Sequence, residues 1–253
     1  MVIGLDIFKE FFKEYTDNYI IIGGTACDIH IEEAGFRPRA TKDFDIILVV
    51  EALSKEFVIQ FWKFIKEGNY KQKEKGEGNR NYYRFMTPEN DKFPFQIELF
   101  AKNPDLLDLD EGTHLTPIPT DAELSSLSAI LMDETYYRFT LENSNVQDDV
   151  HIASTIALIC LKAQALLDYT ERATKGEHNC SRQINKHKAD MLRLTLLLNL
   201  DEKVEIPESI SKNLKDCLEI MTKIPPSKDI FKNMGIPAQP ADVIEVFKSF
   251  FNL

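Results

Sequence analysis

The sequence lacks an apolar run near the roughly 20 residues that a membrane-spanning helix needs. Its N-terminus, MVIGLDIFKEFFKEY, is acidic and amphipathic, unlike a secretory signal peptide. We therefore expect a cytoplasmic protein with no membrane partner. It is also poor in cysteine, and no two of its cysteines have CxxC spacing, which predicts reduced structural thiols. These are Cys27, Cys160, Cys180 and Cys217.

An excess of basic residues is also missing. The chain has 30 Lys and Arg against 41 Asp and Glu, a net charge of -11. This balance argues against general binding of duplex DNA, whose affinity depends on phosphate neutralisation, but leaves room for a local basic pocket. The 5 histidines show no metal-ligand spacing. With 253 residues, 43% of them hydrophobic, the chain is long enough for one large domain or two small ones.

The first part of the chain alternates helix and strand patterns, which predicts an α/β fold with a mixed sheet. The run from Phe44 to Val50 is continuously apolar and β-branched, as in a central strand covered on both faces. The other predicted elements are a helix over Leu5 to Tyr15, a strand over Tyr19 to Ile22, a helix over Ala26 to Glu33, a helix from the Ser54 cap to about Glu67, and hairpin strands over Asn81 to Met86 and Phe93 to Phe100.

Two further stretches of this part leave alternatives open. Leu124 to Leu131 is compatible with another strand, although its pattern is ambiguous. The segment NYKQKEKGEGNRNYYRF mixes basic and aromatic residues, which suits contact with a nucleic-acid acceptor and equally suits a hairpin loop with packed tyrosines.

The second part of the chain is predicted to be helical. Ser154 is positioned to cap one helix, Ser181 or Arg182 opens another, and shorter helices follow from Pro207, Lys228 and Asp242. The change in composition near residue 150 predicts two domains, residues 1–152 and residues 153–253.

Two short motifs carry the predicted chemistry. Asp43 and Asp45 flank Phe44 at the start of the central strand, so their carboxylates point the same way, roughly 6.5 to 7 Å apart along the chain. Such a pair is costly without a cation, and Mg²⁺ prefers oxygen ligands of this kind. Gly23 and Gly24 precede a helix, where free N–H groups can face an anion, and Thr25 either adds a hydroxyl or caps the helix. Phosphate on the glycines and metal on the carboxylates would together hold a nucleoside triphosphate.

The stretch GGTACDIHIEEAGFRPRATKDFDIIL resembles the nucleotidyltransferase superfamily that includes DNA polymerase β, and is most similar to its AbiEii/AbiGii type. The resemblance implies a mixed-sheet α/β palm followed by a helical region. It also implies a third carboxylate on a neighbouring strand, for which Glu98 in FPFQIELF is the natural candidate. Arg37, Arg39 and Lys42, just before the aspartates, either contact phosphates or are solvated.

Looser similarity to the same type continues to about residue 200. LICLKAQALL supplies Lys162, which the resemblance assigns to balancing the triphosphate charge. KHKADMLRL supplies Lys186, Lys188 and Asp190 with a departure from the usual spacing, so either lysine can correspond. Lys186 and Asp190 are one helical turn apart and can face one nucleotide-binding site. The alternative for Lys162 is a snorkelling surface lysine, and a solvated helical face explains Lys186, Lys188 and Asp190 equally well.

The resemblance implies a Mg²⁺-dependent transfer of a nucleoside monophosphate from an NTP to a hydroxyl. The acceptor is an RNA end, a protein hydroxyl or a small molecule, as in aminoglycoside-modifying enzymes. The resemblance also implies a toxin-antitoxin or phage-defence role with an antitoxin partner. The alternative is a catalytically inactive protein on the same fold that binds nucleotide or another protein.

Overall fold

The computed structural model of the protein describes residues 2–72, 83–100 and 133–253. The chain divides into two compact units. Unit 1 consists of the described residues of 1–28 and 40–153, and unit 2 of residues 29–39 and 154–253. Within the described ranges, none of the helices is long and apolar enough to cross a membrane.

Unit 1 contains a mixed seven-stranded sheet with the order β3-β4-β5-β2-β1-β7-β6. The central strand β2 pairs antiparallel with β1 and parallel with β5, so the predicted mixed α/β fold is confirmed. Its elements are α1 (Leu5–Phe12), a 3₁₀ helix (Lys13–Asn18), β1 (Tyr19–Ile22), α2 (Gly23–Glu33, which continues into unit 2), β2 (Asp43–Leu48), a 3₁₀ helix (Val50–Ala52), α3 (Lys55–Gly68), β3 (Lys71–Gln72), β4 (Tyr83–Met86), β5 (Gln96–Phe100), α4 (Glu134–Glu142), β6 (Ser144–Gln147) and β7 (Val150–Ala153).

One face of this sheet is covered by an aromatic layer from α1 and α3. The Phe8 ring lies 5.3 Å from the Phe44 ring and 5.2 Å from the Tyr19 ring, and the Phe61 ring lies 5.6 Å from the Phe85 ring. Phe44 is fully buried in this layer. Because side chains alternate along a strand, the residues on either side of Phe44 must point to the opposite face. The aromatic core therefore directs both aspartates of β2 away from α1 and α3.

Several predicted boundaries of unit 1 are confirmed and others are corrected. β1 has the predicted bounds, and Ser54 caps α3 by accepting a hydrogen bond from the backbone N–H of Phe57. The central strand begins at Asp43 and ends at Leu48, before the 3₁₀ turn that follows, and α1 ends at Phe12. The helix predicted from Ala26 begins earlier, because the double glycine forms its first turn. The strand predicted over Leu124 to Leu131 lies outside the described residues, as do residues 73–82 of the basic and aromatic segment.

Unit 2 is built from helices. Ser154 caps the long helix α5, as predicted, by accepting from the Ala157 N–H. The next helix begins at Cys180, one residue before the earlier of the two predicted starts. All four cysteines of the chain are buried and none forms a disulfide, as predicted. The elements of unit 2 after residue 153 are α5 (Thr155–Thr174), α6 (Cys180–Thr195), α7 (Glu208–Lys223), a 3₁₀ helix (Lys228–Met234) and α8 (Pro240–Phe251).

Candidate functional site

The double-glycine motif and the aspartate pair interlock at the end of β1. Ile22, the last residue of β1, pairs with Asp45 on β2, and Gly23 follows with a φ of 68°. A Cβ atom built on Gly23 would overlap the Asp45 carboxylate. Any side chain at position 23 would therefore both strain the backbone and displace Asp45. Glycine is required here because the carboxylate occupies the space that a side chain would fill.

Two hydrogen bonds hold the start of β2 against helix α2. The buried Thr25 hydroxyl donates to the carbonyl oxygen of Asp43 over 2.7 Å. Asp28, also buried, accepts a hydrogen bond from the backbone N–H of Thr41 over 2.6 Å. Asp28 was not identified from the sequence, where an acid between Cys27 and Ile29 was its one signal. Both contacts position the segment that presents Asp43 and Asp45.

Glu98 lies beside Asp45 in the parallel register between β2 and β5. It is 4% exposed, and its Oε1 accepts hydrogen bonds from Arg84 Nε over 2.7 Å and from Gln96 Nε2 over 2.6 Å. Burial and then the charge of Asp45 raise the pKa of Glu98 to about 8, against the opposing effect of Arg84. Asp43 adds to the rise. The structure thus places three carboxyl groups in one electrostatic neighbourhood.

The donor set of these residues can be compared with what Mg²⁺ requires. Within residues 2–72, 83–100 and 133–253, no three His, Cys, Asp or Glu side chains form a group suited to a metal ion. Protein-bound Mg²⁺ is commonly held by one or two carboxylates together with substrate phosphates and water. Asp43 and Asp45 are half-buried on the same face of β2, and this pair fits that requirement. Glu98 as a third ligand stays a prediction, since its Oε1 is hydrogen-bonded to Arg84 and Gln96.

The other predicted site residues lie in unit 2, around Asp190. The Asp190 carboxylate is 4% exposed and makes three ion pairs of 3.2 Å, with Lys162 Nζ, Arg39 Nη1 and Arg193 Nη1. Burial alone would raise its pKa, but the cations, led by Lys162 and Arg39, lower it to about 2. Lys162 is itself 6% exposed. We call Asp190, Lys162, Arg39 and Arg193 the Asp190 cluster.

Lys186 and Lys188 differ in their surroundings. Lys186 is exposed, and its charge contributes to lowering the pKa of Asp190, as expected for residues one helical turn apart. Lys188 is buried and donates to the carbonyl oxygen of Ile224, at the C-terminal end of α7. Of the two lysines that the sequence left open, Lys186 is therefore associated with Asp190, and Lys188 holds a helix end.

His187 lies next to the Asp190 cluster. Its ring stacks on Tyr169, with centroids 5.6 Å apart. Burial, followed by the charges of Lys162 and Lys186, lowers the pKa of His187 to about 3, so its imidazole is neutral near pH 7. Neither Arg193 nor His187 was singled out from the sequence. Their positions in the same helix as Lys186 and Asp190 were the signal available.

Comparisons of the chain with protein-family models, with curated proteins and with solved structures each give no match. The resemblance drawn from the glycine and aspartate motifs therefore stays a prediction. We therefore infer function from the contacts within each unit.

Proposed function

We propose that the protein is a Mg²⁺-dependent nucleotidyltransferase on a palm of the nucleotidyltransferase type, acting on an NTP and a hydroxyl acceptor. The observation that carries the proposal is the interlock of Gly23 with the Asp45 carboxylate. A side chain at position 23 would displace the Asp45 carboxylate, so the glycine turn is needed for the aspartate pair to keep its position. The two motifs of the resemblance are therefore linked by a direct contact. Thr25, which bonds to Asp43, connects the same two segments.

The charges of unit 1 are consistent with this function. Asp43 and Asp45 would hold the metal, which would neutralise negative charge on the triphosphate and on the leaving pyrophosphate. The turn at Gly23 and Gly24 opens helix α2, whose first N–H groups favour an anion. The site for the metal and the site for the phosphate would thus lie next to each other in unit 1.

Glu98 is the residue proposed to accept the proton of the hydroxyl acceptor. Its raised pKa makes its carboxylate a stronger base than an ordinary glutamate. In the transfer, the acceptor oxygen forms a bond to the α-phosphorus, the bond from that phosphorus to the β-phosphate oxygen breaks, and pyrophosphate leaves. The acceptor proton passes to the Glu98 carboxylate and from there to solvent.

A second candidate is a protein that binds nucleotide without transferring it. It is favoured by the two hydrogen bonds to Glu98 Oε1, which are equally those of a structural carboxyl group. The two candidates share the nucleotide site and differ in the reactivity of Glu98.

Binding is tested first, by thermal unfolding of the full chain with each of the four NTPs, with and without Mg²⁺. A ligand at 100 times its dissociation constant stabilises a folded protein by about 2.7 kcal/mol. We expect one NTP to stabilise the wild type only with Mg²⁺, and Asp43→Asn/Asp45→Asn to lose the effect. Asp201→Asn, at an exposed position, is the matched control. A folded wild type that no NTP stabilises would contradict both candidates.

Transfer is tested next, with the stabilising NTP labelled at its α-phosphate and supplied with total RNA and soluble protein from a cell extract. We expect labelled acceptor and released pyrophosphate, both lost in Glu98→Gln while Mg²⁺-dependent NTP binding is kept. Binding in the wild type without labelled product or pyrophosphate would instead favour the non-transferring protein.

A further inference from the structure

The hairpin of β6 and β7 places a serine and a histidine on one face. The turn between the strands, Asp148 and Asp149, has φ angles of 44° and 64°, as in a tight two-residue hairpin turn. Ser144 pairs with Ala153 and Val146 with His151, so these four side chains lie on the same face. On this face Val146 is 50% exposed, Ser144 and His151 are half-buried, and Ala153 is buried, so solvent reaches the pair from the side of Val146.

The histidine is oriented by the backbone. His151 Nδ1 lies 2.8 Å from the carbonyl oxygen of Thr16, and its Nε2 lies 2.9 Å from Ser144 Oγ. A carbonyl oxygen only accepts hydrogen bonds, so Nδ1 must carry the proton. In the neutral ring, Nε2 is then the proton acceptor that faces the serine.

The serine hydroxyl therefore has a base within hydrogen-bonding distance. Ser144 Oγ also lies 2.8 Å from the carbonyl oxygen of Leu141, so its single proton has two acceptors. Only Nε2 of His151 can take that proton away. Once protonated, the imidazole would donate to both Thr16 and Ser144, so every member of the arrangement would keep a partner.

The edge of the sheet supplies a candidate donor for a developing negative charge. β6 is a terminal strand of the described sheet. The residues flanking a two-residue turn form a hydrogen-bonded pair, and such pairs alternate with non-hydrogen-bonded ones along a hairpin. Gln147 and Val150 flank the turn, so Ser144 and Ala153 fall in a non-hydrogen-bonded position. The backbone N–H of Ser144 consequently points to the outer edge of the sheet, close to its own hydroxyl.

We propose that Ser144 and His151 form a nucleophile and base pair that accepts an acyl group from activated carboxylic esters, independently of Asp43 and Asp45. Ser144 Oγ forms a bond to the ester carbonyl carbon while its proton moves to His151 Nε2. The tetrahedral intermediate, whose oxyanion faces the strand edge, then breaks its bond to the leaving alcohol or phenol. The products are an acyl ester on Ser144 and the released alcohol or phenolate, and the imidazolium returns its proton to the leaving group or to solvent.

The probe is p-nitrophenyl acetate, used on the full wild-type chain. We expect release of one equivalent of p-nitrophenolate and a mass increase of one acetyl group that peptide mapping places on Ser144. Ser144→Ala should abolish both, and His151→Gln should slow the reaction about 100-fold, as is usual on removal of a general base. Ser249→Ala, at an exposed helical position, and Asp43→Asn/Asp45→Asn should react as the wild type does. The last of these separates this site from the proposed nucleotidyltransferase.

A thiol variant keeps the test decisive if acetylation is slow. The four native cysteines are buried, so Ser144→Cys introduces a half-buried thiol against a low background. We expect iodoacetamide to alkylate it at least tenfold faster than the thiol of Ser249→Cys, and we expect the advantage to disappear in Ser144→Cys/His151→Gln. Equal alkylation rates at the two positions, or acetylation that His151→Gln leaves unchanged in a folded protein, would overturn the proposal.

Discussion

The pKa of a buried carboxyl group is raised in unit 1 and lowered in unit 2. In unit 1, Glu98 lies with Asp45 and Asp43 and has Arg84 as its ion-pair partner, and its pKa rises to about 8. In unit 2, Asp190 contacts Lys162, Arg39 and Arg193, and its pKa falls to about 2. Both groups are 4% exposed. Because burial is equal, the difference comes from the charge of the neighbours.

The charge of Asp190 stabilises the fold, whereas the charges of Asp43 and Asp45 lower its stability. Asp190 neutralises cations that would otherwise repel each other, so its negative charge favours the folded state. Asp43 and Asp45 raise the free energy of an ionised Glu98, so their charges are unfavourable in the absence of a cation. Unfavourable charge of this kind is common at functional sites, where a ligand compensates it. On this basis unit 1 holds the better candidate for chemistry, and Asp190 is primarily an organiser of its cluster.

The largest effect is expected from Asp190→Asn. Removing the carboxylate leaves three cations without their shared partner, and breaking a buried ion pair in this way costs about 3 to 5 kcal/mol. The measurement is the free energy of unfolding in urea at pH 7. Asp201→Asn, an exposed control, should change it by less than about 0.5 kcal/mol.

Asp45→Asn is the matched change in unit 1. It removes one of the charges that raise the pKa of Glu98, so its effect on unfolding of the metal-free protein should be far smaller than that of Asp190→Asn. If the two substitutions destabilised the protein equally, the contrast between the units would be wrong.

The second prediction concerns the interlock of the two motifs. Gly23→Ala should cost about 1 to 2 kcal/mol for the left-handed backbone and about 1 to 3 kcal/mol more for displacing Asp45. Gly176→Ala is its control, because Gly176 has a similar φ of 80° but no atom within 4 Å of the added Cβ. It should show the backbone cost alone. Urea unfolding of both variants measures the difference.

A double-mutant cycle then identifies the partner of Gly23. In an Asp45→Ala background, Gly23→Ala should lose at least about 1 kcal/mol of its cost, since the carboxylate that it displaces is gone. Additive effects of the two substitutions would show that the space at Gly23 is set by something other than Asp45.

Local periodicity predicted many of the helices and strands of unit 1, but it could not predict which strands pair or in which register. The two-residue period of a strand placed Asp43 and Asp45 on one face, and the aromatic stripe of α3 was visible as a helical pattern. The parallel register that brings Glu98 beside Asp45 joins segments about fifty residues apart, and no local pattern specifies it. Glu98 was predicted from two signals, the third carboxylate that the resemblance implies on a neighbouring strand and the position of this acid between apolar residues.

The hairpin of β6 and β7 was missed for a different reason. Tight two-residue turns favour glycine or asparagine at positive φ, and this one uses Asp148 and Asp149. Without a glycine the turn signal was weak, so Ser144 and His151 were not connected. For Arg39 the sequence predicts phosphate contact or solvation, because its contact with Asp190 depends on tertiary packing within unit 2, which its position before the aspartates does not reveal.

The smallest expected effect, at most about 1.4 kcal/mol per pH unit, is a pair of opposite pH dependences in the metal-free protein. The folded-state pKa of Glu98 is raised from 4.5 to about 8, so the folded protein holds a proton that the unfolded chain releases, and stability falls as pH rises between these values. The pKa of His187 is lowered from 6.5 to about 3, so the unfolded chain binds the extra proton and stability falls as pH decreases below 6.5.

Urea unfolding from pH 4 to pH 9 in the presence of EDTA measures both slopes, each limited to about 1.4 kcal/mol per pH unit for one proton. Between pH 4.5 and 6.5 the two dependences have opposite signs and largely cancel in the wild type, so the variants are needed to separate them. Glu98→Gln should remove the loss of stability between pH 6.5 and 8, and His187→Phe, which keeps a ring against Tyr169, should let stability rise as pH falls from 6.5 to 4.5. Glu245→Gln and His178→Phe, both at exposed positions, are the matched controls. If Glu98→Gln left the alkaline slope unchanged, Glu98 would be ionised at neutral pH through its pairing with Arg84. Glu98 would then resemble Asp190, as a buried carboxylate kept ionised by its cationic partner despite the neighbouring aspartates.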